Sequence, residues 1–327
     1  MKPFVVAAMI FASICSAAAA DFGVSKFTNP VCVSADPCAV KNPDGKGYWH
    51  LCSDDRNIYT EYALSPADFK RDRKNIVFSV KKGSEYNQEL WAPELHKIGG
   101  KWYIYFTAAD SAGRHSLFVV SGDDPMKPFG NAKRVCGPEI TGIDQTVFEY
   151  KGKLYAVYSS GDGYSCQRLF IAEMSSPWEI KGSPVPISAP EYDWEKENRP
   201  VNEGPCALQR NGKLYIVYSC SYAASDEYKM GILRFKGGDV LKPENWEKHP
   251  EPIMTGRGNL QGTGHCTFTK DGDGNDWCVF HINRPRTENE RGKWLTRYLC
   301  LQPVIWINDF PTFSPVVEKP KYFKYEK

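Results

Sequence analysis

The chain has 327 residues, and its 41 Lys and Arg residues nearly balance its 39 Asp and Glu residues, giving a formal net charge of +2. A chain balanced in this way lacks the basic surface that binds phosphate backbones or anionic lipid. After the first twenty residues, no window offers the uncharged apolar stretch of about 20 residues that a membrane-spanning helix needs. We therefore expect neither nucleic acid nor a membrane as a partner.

The first twenty residues have the organisation of a secretory signal peptide. Met1 and Lys2 precede an apolar stretch at 4–12, and a run of small residues at 16–20 precedes the polar Asp21. This order predicts a leader over residues 1–20 and an exported mature chain over residues 21–327. The mature part shows no linker or low-complexity tract, so we expect one secreted, extracellular domain that acts as a monomer.

Ten of the eleven cysteines follow the predicted leader. An even number of cysteines in an exported chain predicts several disulfides, with a pairing that sequence cannot give. Buried free thiols are the alternative for some of them. A metal site is less well supported, because the chain contains no Cys-x-x-Cys pair and its cysteines are widely spaced.

A turn residue followed by an aromatic-rich, β-branched run recurs along the mature chain. Such a run is typical of a hairpin entering a strand, and a second short strand precedes each turn. The five runs lie at 47–53, 100–106, 152–158, 212–218 and 275–281. A repeat of this length is typical of β-propellers, with room for four strands in each unit. The sequence therefore predicts an all-β fold, a five-bladed β-propeller with little helix.

Each predicted blade places a polar or aromatic residue at the start of its first strand. Radial packing brings these starts together at one mouth of the ring, so we expect them to line one pocket. They are Asp36, Trp91, Asp144, Glu203 and His265.

Three of these five residues are carboxylic acids. Glycoside hydrolysis needs one protonated carboxyl to assist the leaving oxygen and one ionised carboxyl to activate water or attack the sugar. A third carboxylate nearby raises the pKa of the acid and orients it. Capping of a turn or pairing with an arginine is the alternative for a single acid, but it explains three equivalent positions less well.

The motifs around these residues, in this order and spacing, resemble those of glycoside hydrolase family 43. They are ADP at 35–37, WAPELH at 91–96, GID at 142–144, NEGP at 202–205 and GTGHCTF at 262–268. The resemblance covers nearly the whole mature chain. Within the family, the stretches at 102–106, 171–178 and 190–194 are most similar to the α-L-arabinofuranosidases.

The resemblance implies an inverting enzyme with Asp36 as general base, Glu203 as general acid and Asp144 as the residue that tunes and orients the acid. It implies a plant cell-wall polysaccharide or oligosaccharide as substrate and no cofactor for the chemistry. His265 would lie near the propeller axis beside a largely hydrated calcium or sodium ion, since one histidine is a poor cage for calcium. A buried, hydrogen-bonded histidine is the alternative for His265.

Two further residues are candidates for substrate binding. Trp91 stands beside the carboxylates, where an indole face can cover the apolar face of a sugar ring, although tryptophan is more often a core residue. The family usually carries an arginine two residues before the glutamine that corresponds to Gln302, but this chain has Cys300 there. Arg297 is the candidate to replace that arginine. The unusual Cys38, Cys206 and Cys266 are candidates to staple neighbouring inner strands.

The leading hypothesis is an exo-acting α-L-arabinofuranosidase on arabinan or arabinoxylan side chains. A β-xylosidase or endo-arabinanase of the same fold is the nearest alternative, because these activities differ in the loops around the pocket. A carbohydrate-binding propeller without catalysis is disfavoured by the three carboxylates. A protein-interaction propeller would need Trp-Asp or diglycine signatures in each blade, and the sequence lacks them.

Overall fold

The computed structural model describes residues 21–72, 74–161, 166–283, 296–313, 315–316 and 318–327. The predicted leader at 1–20 lies outside the described residues. The described chain forms five four-stranded antiparallel sheets. The first strands of successive sheets contact one another in a closed ring, which confirms the predicted five-bladed β-propeller.

Each of blades one to four consists of four consecutive strands. Blade one contains β3 (Cys38–Lys41), β4 (Tyr48–Ser53), β5 (Asn57–Ala63) and β6 (Ile76–Ser79). Blade two contains β7 (Gln88–Ile98), β8 (Lys101–Ala109), β9 (His115–Gly122) and β10 (Lys133–Arg134). Blade three contains β11 (Ile143–Tyr150), β12 (Lys153–Gly161), β13 (Gln167–Ser176) and β14 (Glu179–Ser188). Blade four contains β15 (Asn202–Arg210), β16 (Lys213–Cys220), β17 (Lys229–Phe235) and β18 (Trp246–Lys248).

Blade five combines both ends of the chain. Its strands are β19 (Gln261–Lys270), β20 (Asp276–Asn283), β21 (Arg297–Pro303) and, as the outer strand, the N-terminal β2 (Cys32–Val33). Two small sheets lie outside the blades, one of β1 (Phe22–Phe27) with β24 (Lys321–Glu326) and one of β22 (Ile305–Ile307) with β23 (Phe310–Thr312). The helical turns of the described chain are short 3₁₀ segments at Pro66–Asp68, Asp193–Glu195 and Pro243–Asn245. No helix in the described ranges is both long and apolar enough to span a membrane.

The hydrophobic core is divided among the interfaces between blades. In the part of the chain that the structure describes, buried apolar side chains form five clusters, and each is shared by two neighbouring blades. Between blades one and two, for example, Leu51 and Ile104 are both fully buried. Full burial of such a side chain contributes about 1.5–3 kcal/mol. Stability therefore depends on the ring being complete, because each face finds its apolar partner on the next blade.

The cysteines contribute to this core as thiols. The ten cysteines in the described chain are all free, so the prediction of several disulfides is not confirmed. Cys38, Cys206 and Cys266 are buried without a disulfide between them, and Cys38 Sγ instead accepts a hydrogen bond from the Leu95 amide at 3.4 Å. The inner strands are therefore held together by packing and hydrogen bonds rather than by staples.

The ring is closed by the N-terminal segment, a point that the repeat pattern left undecided. Cys32 and Val33 pair with Leu299 and Tyr298 of β21. Just before them, the buried Asn29 donates from Nδ2 to the Leu301 carbonyl at 3.0 Å and accepts from the Leu301 amide at 2.9 Å. The Asn29 side chain thus makes the two hydrogen bonds to Leu301 that a residue of a neighbouring strand would otherwise make.

Substitution Asn29→Ala should lower the free energy of unfolding by about 2 kcal/mol, because it leaves both backbone groups of Leu301 buried without partners. Chemical denaturation measures this change. The control is Asn42→Ala, which removes two similar bonds, to Asp44 and Lys46, in an exposed turn. It should cost less than about 0.5 kcal/mol. Equal losses in the two variants would contradict the closing role of Asn29.

Candidate active site

The first strand of each blade is distorted at one equivalent point. The pairs Cys38–Leu51, Glu94–Tyr105, Thr146–Val157, Cys206–Val217 and Thr267–Val279 mark equivalent register positions in the five blades. Two residues before this position, each blade has a left-handed residue with positive φ, which in blade one lies just before β3 and in blades two to five lies in the first strand. In blades two to five the register shifts there. The left-handed residues are Asp36 (φ 46°), Ala92 (47°), Asp144 (58°), Gly204 (53°) and His265 (48°). Left-handed residues other than glycine are uncommon and gather at functional sites.

This register refines the predicted equivalence of the five site residues. Asp36, Asp144 and His265 occupy the left-handed position itself. Trp91 and Glu203 precede it by one residue, next to Ala92 and Gly204. The five residues therefore do not occupy one repeated position. Glu203, the candidate general acid, lies one register position earlier in its blade than Asp36 and Asp144 do in theirs.

The amide of the left-handed residue is bonded to a side chain of the preceding blade in four of the five blades. A bulge releases this N–H from the strand ladder, and a buried N–H needs an acceptor. The hydrogen bonds run from Asp144 to Thr107 Oγ1 at 3.0 Å, from Gly204 to Asp144 Oδ2 at 3.1 Å, from His265 to Ser219 Oγ at 2.6 Å, and from Asp36 to His281 Nδ1 at 3.2 Å. Asp36, Asp144 and His265, and the residue after Glu203, are thereby each located by two blades at once.

The carboxylate of Asp36 is surrounded by one arginine and two histidine side chains. Arg297 Nη1 donates to Asp36 Oδ1 at 2.7 Å, and Nδ1 of His265 and of His281 lie 3.3 Å and 3.4 Å from the same oxygen. Burial raises the pKa of Asp36, but the charge of Arg297, followed by that of His265, outweighs burial and holds the pKa below its usual value. Asp36 is therefore ionised near neutral pH, as a general base must be.

Glu203 lies in a different environment in the same pocket. Its Oε1 accepts a hydrogen bond from the Tyr228 hydroxyl at 2.8 Å. Burial and then the charge of Asp144 raise the pKa of Glu203 to about 8, although the Tyr228 hydrogen bond acts in the opposite direction. Glu203 is thus protonated at neutral pH, which is the state that a general acid requires.

Asp144 connects the two other carboxyls. It is buried, its Oδ2 accepts from the Gly204 amide, and His265 Nδ1 lies 3.9 Å from the same oxygen. Burial raises its pKa, and the charge of Asp36 acts in the same direction. Because Asp144 both holds the residue after Glu203 and raises the pKa of Glu203, its geometry fits the tuning role that the resemblance implies.

Tyr228 and His281 form a wall of the pocket that connects acid and base. Their rings stack with centroids 5.6 Å apart and 8° between planes. Burial raises the pKa of the Tyr228 hydroxyl well above its usual value, and burial lowers the pKa of His281 well below its usual value. These shifts keep both side chains neutral. The Tyr228 hydroxyl donates to Glu203, and His281 Nδ1 accepts from the Asp36 backbone amide. The Tyr228 ring lies directly against Gly264, where a Cβ would collide with it.

Trp91 lies partly buried at the edge of this group. Its indole stacks on the His115 ring at 4.3 Å with an interplanar angle of 29°, so one face of Trp91 is covered by protein. Trp91 also stands opposite Thr107, the residue that binds the Asp144 amide. The structure thus brings Trp91 next to the acidic group.

His265 packs closely against blade four. A Cβ at Gly204, which has φ +53°, would lie 3.1 Å from His265 Nδ1, so glycine is needed at that position for this approach. In the described ranges, no three His, Cys, Asp or Glu side chains are grouped so as to hold a metal ion. The side chains around His265 therefore do not form a protein cage for calcium, which takes six to eight oxygen ligands.

The departure at Cys300 has a structural explanation. Cys300 is fully buried opposite Phe280 in the core between blades four and five, away from the carboxyls. Arg297, at the start of the same strand, reaches Asp36 instead. The guanidinium beside the base candidate therefore comes from Arg297, three residues earlier in the chain.

Four residues of the site were not identified from the sequence: Thr107, Ser219, Tyr228 and His281. A signal for His281 existed, because it ends the fifth repeated run where three of the other runs end in Phe106, Tyr158 and Tyr218. By register, His281 is equivalent to Thr107 and Ser219, which follow the aromatic residue in blades two and four. Tyr228 lies in the connection before β17 and outside any repeated run, so the sequence carried no signal for it.

Comparisons with known proteins point in one direction. The family model described as glycosyl hydrolases family 43 matches residues 27–311. An extracellular exo-α-(1→5)-L-arabinofuranosidase of Streptomyces chartreusis is 32% identical over 76% of this chain and 80% of its own length. α-L-Arabinofuranosidase 43 of Humicola insolens is 31% identical over 96% of this chain and 68% of its own length. The crystal structure of an α-L-arabinofuranosidase from Lactobacillus brevis superposes with a TM-score of 0.79 at 33% identity, over 89% of this chain and 97% of that one.

Two substitutions should move the alkaline limb of the pH–rate profile in opposite directions. Hydrolysis of an aryl glycoside should fall as pH rises through about 8, where Glu203 loses its proton. Asp144→Asn removes a negative charge that raises the pKa of Glu203, so the limb should move to lower pH. Tyr228→Phe removes a hydrogen bond that stabilises the carboxylate, so the limb should move up by about one pH unit.

The measurement is kcat/KM for wild type and both variants across the pH range, with thermal melting at each pH as a check of folding. An unmoved limb in both variants, or a shift of both in the same direction, would exclude Glu203 as the group that titrates there.

Proposed function

Since this chain belongs to glycosyl hydrolase family 43, we propose that it is an α-L-arabinofuranosidase that removes terminal α-L-arabinofuranosyl residues from arabinan or arabinoxylan with inversion of configuration. The arrangement of the carboxyls carries the chemistry: Asp36 accepts from Arg297 Nη1 at 2.7 Å, which holds its pKa low, while Glu203 is buried beside Asp144, which raises its pKa to about 8. The identity of at least 30% with proteins named arabinofuranosidases supports the choice of sugar.

The two carboxyls then act in one displacement. Glu203 gives its proton to the glycosidic oxygen as the bond to the anomeric carbon breaks. Asp36 takes a proton from a water molecule, whose oxygen bonds to the anomeric carbon from the opposite face. The cycle leaves Asp36 protonated and Glu203 ionised, and solvent restores both before the next turnover. Asp144 keeps the pKa of Glu203 high through its charge and holds the Gly204 amide.

The neighbouring residues prepare this step. Arg297 keeps Asp36 ionised and aimed through a charge-assisted hydrogen bond, which is among the stronger contacts in proteins. We assign Trp91 to the sugar platform, with His115 stacked on one face of the indole as its support. No cofactor takes part in this step. We keep His265 as the place where a hydrated calcium or sodium ion would lie, with no role in bond cleavage.

The location and the natural substrate follow from the same reading. The predicted leader, together with the extracellular assignment in the name of the Streptomyces relative, supports secretion. A secreted enzyme of this type acts as a monomer on plant cell-wall polysaccharide or its oligosaccharides. Exo action is supported by the name of the same relative, while β-xylosidase and endo-arabinanase are the activities that the substrate tests below distinguish from it.

Wild-type enzyme should hydrolyse 4-nitrophenyl α-L-arabinofuranoside and release the β-anomer of arabinose first, because water attacks opposite the leaving group. On phenyl α-L-arabinofuranoside, whose poor leaving group needs a proton from an acid, Glu203→Gln should reduce kcat/KM by at least about 100-fold, since general acid catalysis contributes about 10²–10⁴. Proton NMR of the reaction as it proceeds gives both the rate and the first anomer.

The control is Glu173→Gln, which alters a partly buried carboxylate paired with Lys153 and Lys181 on the outer part of blade three. It should leave kcat/KM unchanged. First release of the α-anomer would contradict inversion. Turnover of the β-D-xyloside alone would change the activity to β-xylosidase, and release of oligosaccharides from arabinan without arabinose would indicate endo action. Inactivity on all of these would leave a carbohydrate-binding propeller.

A further inference from the structure

A buried ionic cluster contacts the residue that precedes the general acid candidate in the chain. Its centre is Glu195, a fully buried carboxylate in the connection between β14 and β15. Lys248 of β18 donates to both Glu195 oxygens, at 2.9 Å and 3.0 Å. The Tyr218 hydroxyl donates to Oε1 at 2.8 Å, and the amides of Glu191 and Tyr192 donate to Oε2 at 2.7 Å and 2.9 Å. All these partners act as donors, so the carboxylate is fully satisfied in its ionised form.

The cluster takes hold of Asn202, the residue immediately before Glu203. Asn202 is fully buried, and its Nδ2 donates to Glu195 Oε1 at 2.9 Å. Its Oδ1 accepts from the Ser188 hydroxyl at 2.7 Å, and its backbone carbonyl accepts from the Ser159 hydroxyl at 2.8 Å. Both ends of the Asn202 side chain and its carbonyl are therefore fixed by groups outside β15.

Such anchoring matters because the strand ladder is weak at this point. The ladder holds Asn202 and Glu203 opposite Cys220 and Ser219, then shifts register before Cys206. Immediately after Glu203, Gly204 is left-handed, and its amide is bonded to Asp144 instead of to a strand. The main-chain direction at Glu203 thus depends on what holds the residue before it and the residue after it.

We propose that the Glu195–Lys248 ion pair, acting through Asn202, is a positioning device for the general acid, and that Ser159 and Ser188 complete it. This inference rests on the proposed function of Glu203. Asn202 and Gly204, the residues before and after Glu203, are both fixed by groups outside β15, so the Glu203 side chain leaves the strand in one direction. The Tyr228 hydroxyl then occupies Oε1 and leaves Oε2 to carry the transferred proton.

The position of Ser159 supports this role. It is equivalent by register to Thr107 and Ser219. The hydroxyl of each of these two residues accepts a hydrogen bond from the amide of the left-handed residue in the next blade. In blade four that amide belongs to Gly204 and is taken by Asp144. The Ser159 hydroxyl therefore does not accept the Gly204 amide hydrogen bond, and it donates to the Asn202 carbonyl instead.

Leaving-group dependence provides the test, because an activated leaving group departs with little help from an acid. Ser159→Ala and Lys248→Met should lower kcat on phenyl α-L-arabinofuranoside by about 10-fold to 100-fold, with KM nearly unchanged. On the 2-chloro-4-nitrophenyl arabinofuranoside the same variants should lose less than about 3-fold. Ser159→Ala removes one hydroxyl only, so it keeps the test valid if Lys248→Met fails to fold.

The matched control is Lys270→Met, which breaks the ion pair with the buried Asp276 at the turn between β19 and β20, far from the carboxyls. It should change both substrates equally. Equal losses on the two substrates in Ser159→Ala, or no loss on either, would overturn the positioning role while leaving the enzyme assignment intact. A wild type inactive on every aryl glycoside would instead overturn the proposed function, and the positioning role with it.

Discussion

The active centre depends on one backbone constraint that is repeated around the ring. Each blade has a left-handed residue in or just before its first strand, and in four blades the amide of this residue bonds to a side chain of the blade before it. A buried amide without an acceptor would cost about 1–3 kcal/mol, so each of these bonds is strongly required. Because each bond crosses a blade interface, the geometry at Asp36 and Asp144 exists only when the ring is closed. Closure in turn depends on the N-terminal β2 and Asn29.

Differences in the electrostatic surroundings of Asp36 and Glu203 then give two carboxyl groups different roles, one as a base and one as an acid. Burial raises the pKa of all three carboxyls. At Asp36, the guanidinium of Arg297 together with His265 reverses that effect, whereas at Glu203 the charge of Asp144 adds to it. Two carboxyls whose surroundings move their pKa values apart are the expected signature of an acid and base pair. The fold supplies these surroundings from different blades, which is why a propeller is suited to the task.

Much of this could be predicted from the sequence, since the repeated aromatic runs gave the fold and the positions of Asp36, Asp144 and Glu203. What the repeat could not give was the bulge. It places Trp91 and Glu203 one residue earlier than the other candidates, and hydrophobic alternation carries no sign of a left-handed residue other than glycine. Tyr228, Asn202 and Glu195 act through contacts between blades or across a connection, so no local pattern reveals them. The cysteine count suggested disulfides, but buried thiols such as Cys300 serve as small apolar side chains.

The central claim is that Glu203 is protonated beside an ionised Asp36, and the most direct measurement is the ionisation of Glu203 itself. Carbon-13 NMR of enzyme labelled at glutamate carboxyls, compared with Glu203→Gln to identify the resonance, follows that group without any substrate. The account predicts a carboxyl signal that titrates near pH 8, well apart from the exposed glutamates. A Glu203 signal that titrates between about pH 4 and 5, as an ordinary glutamate does, would contradict it.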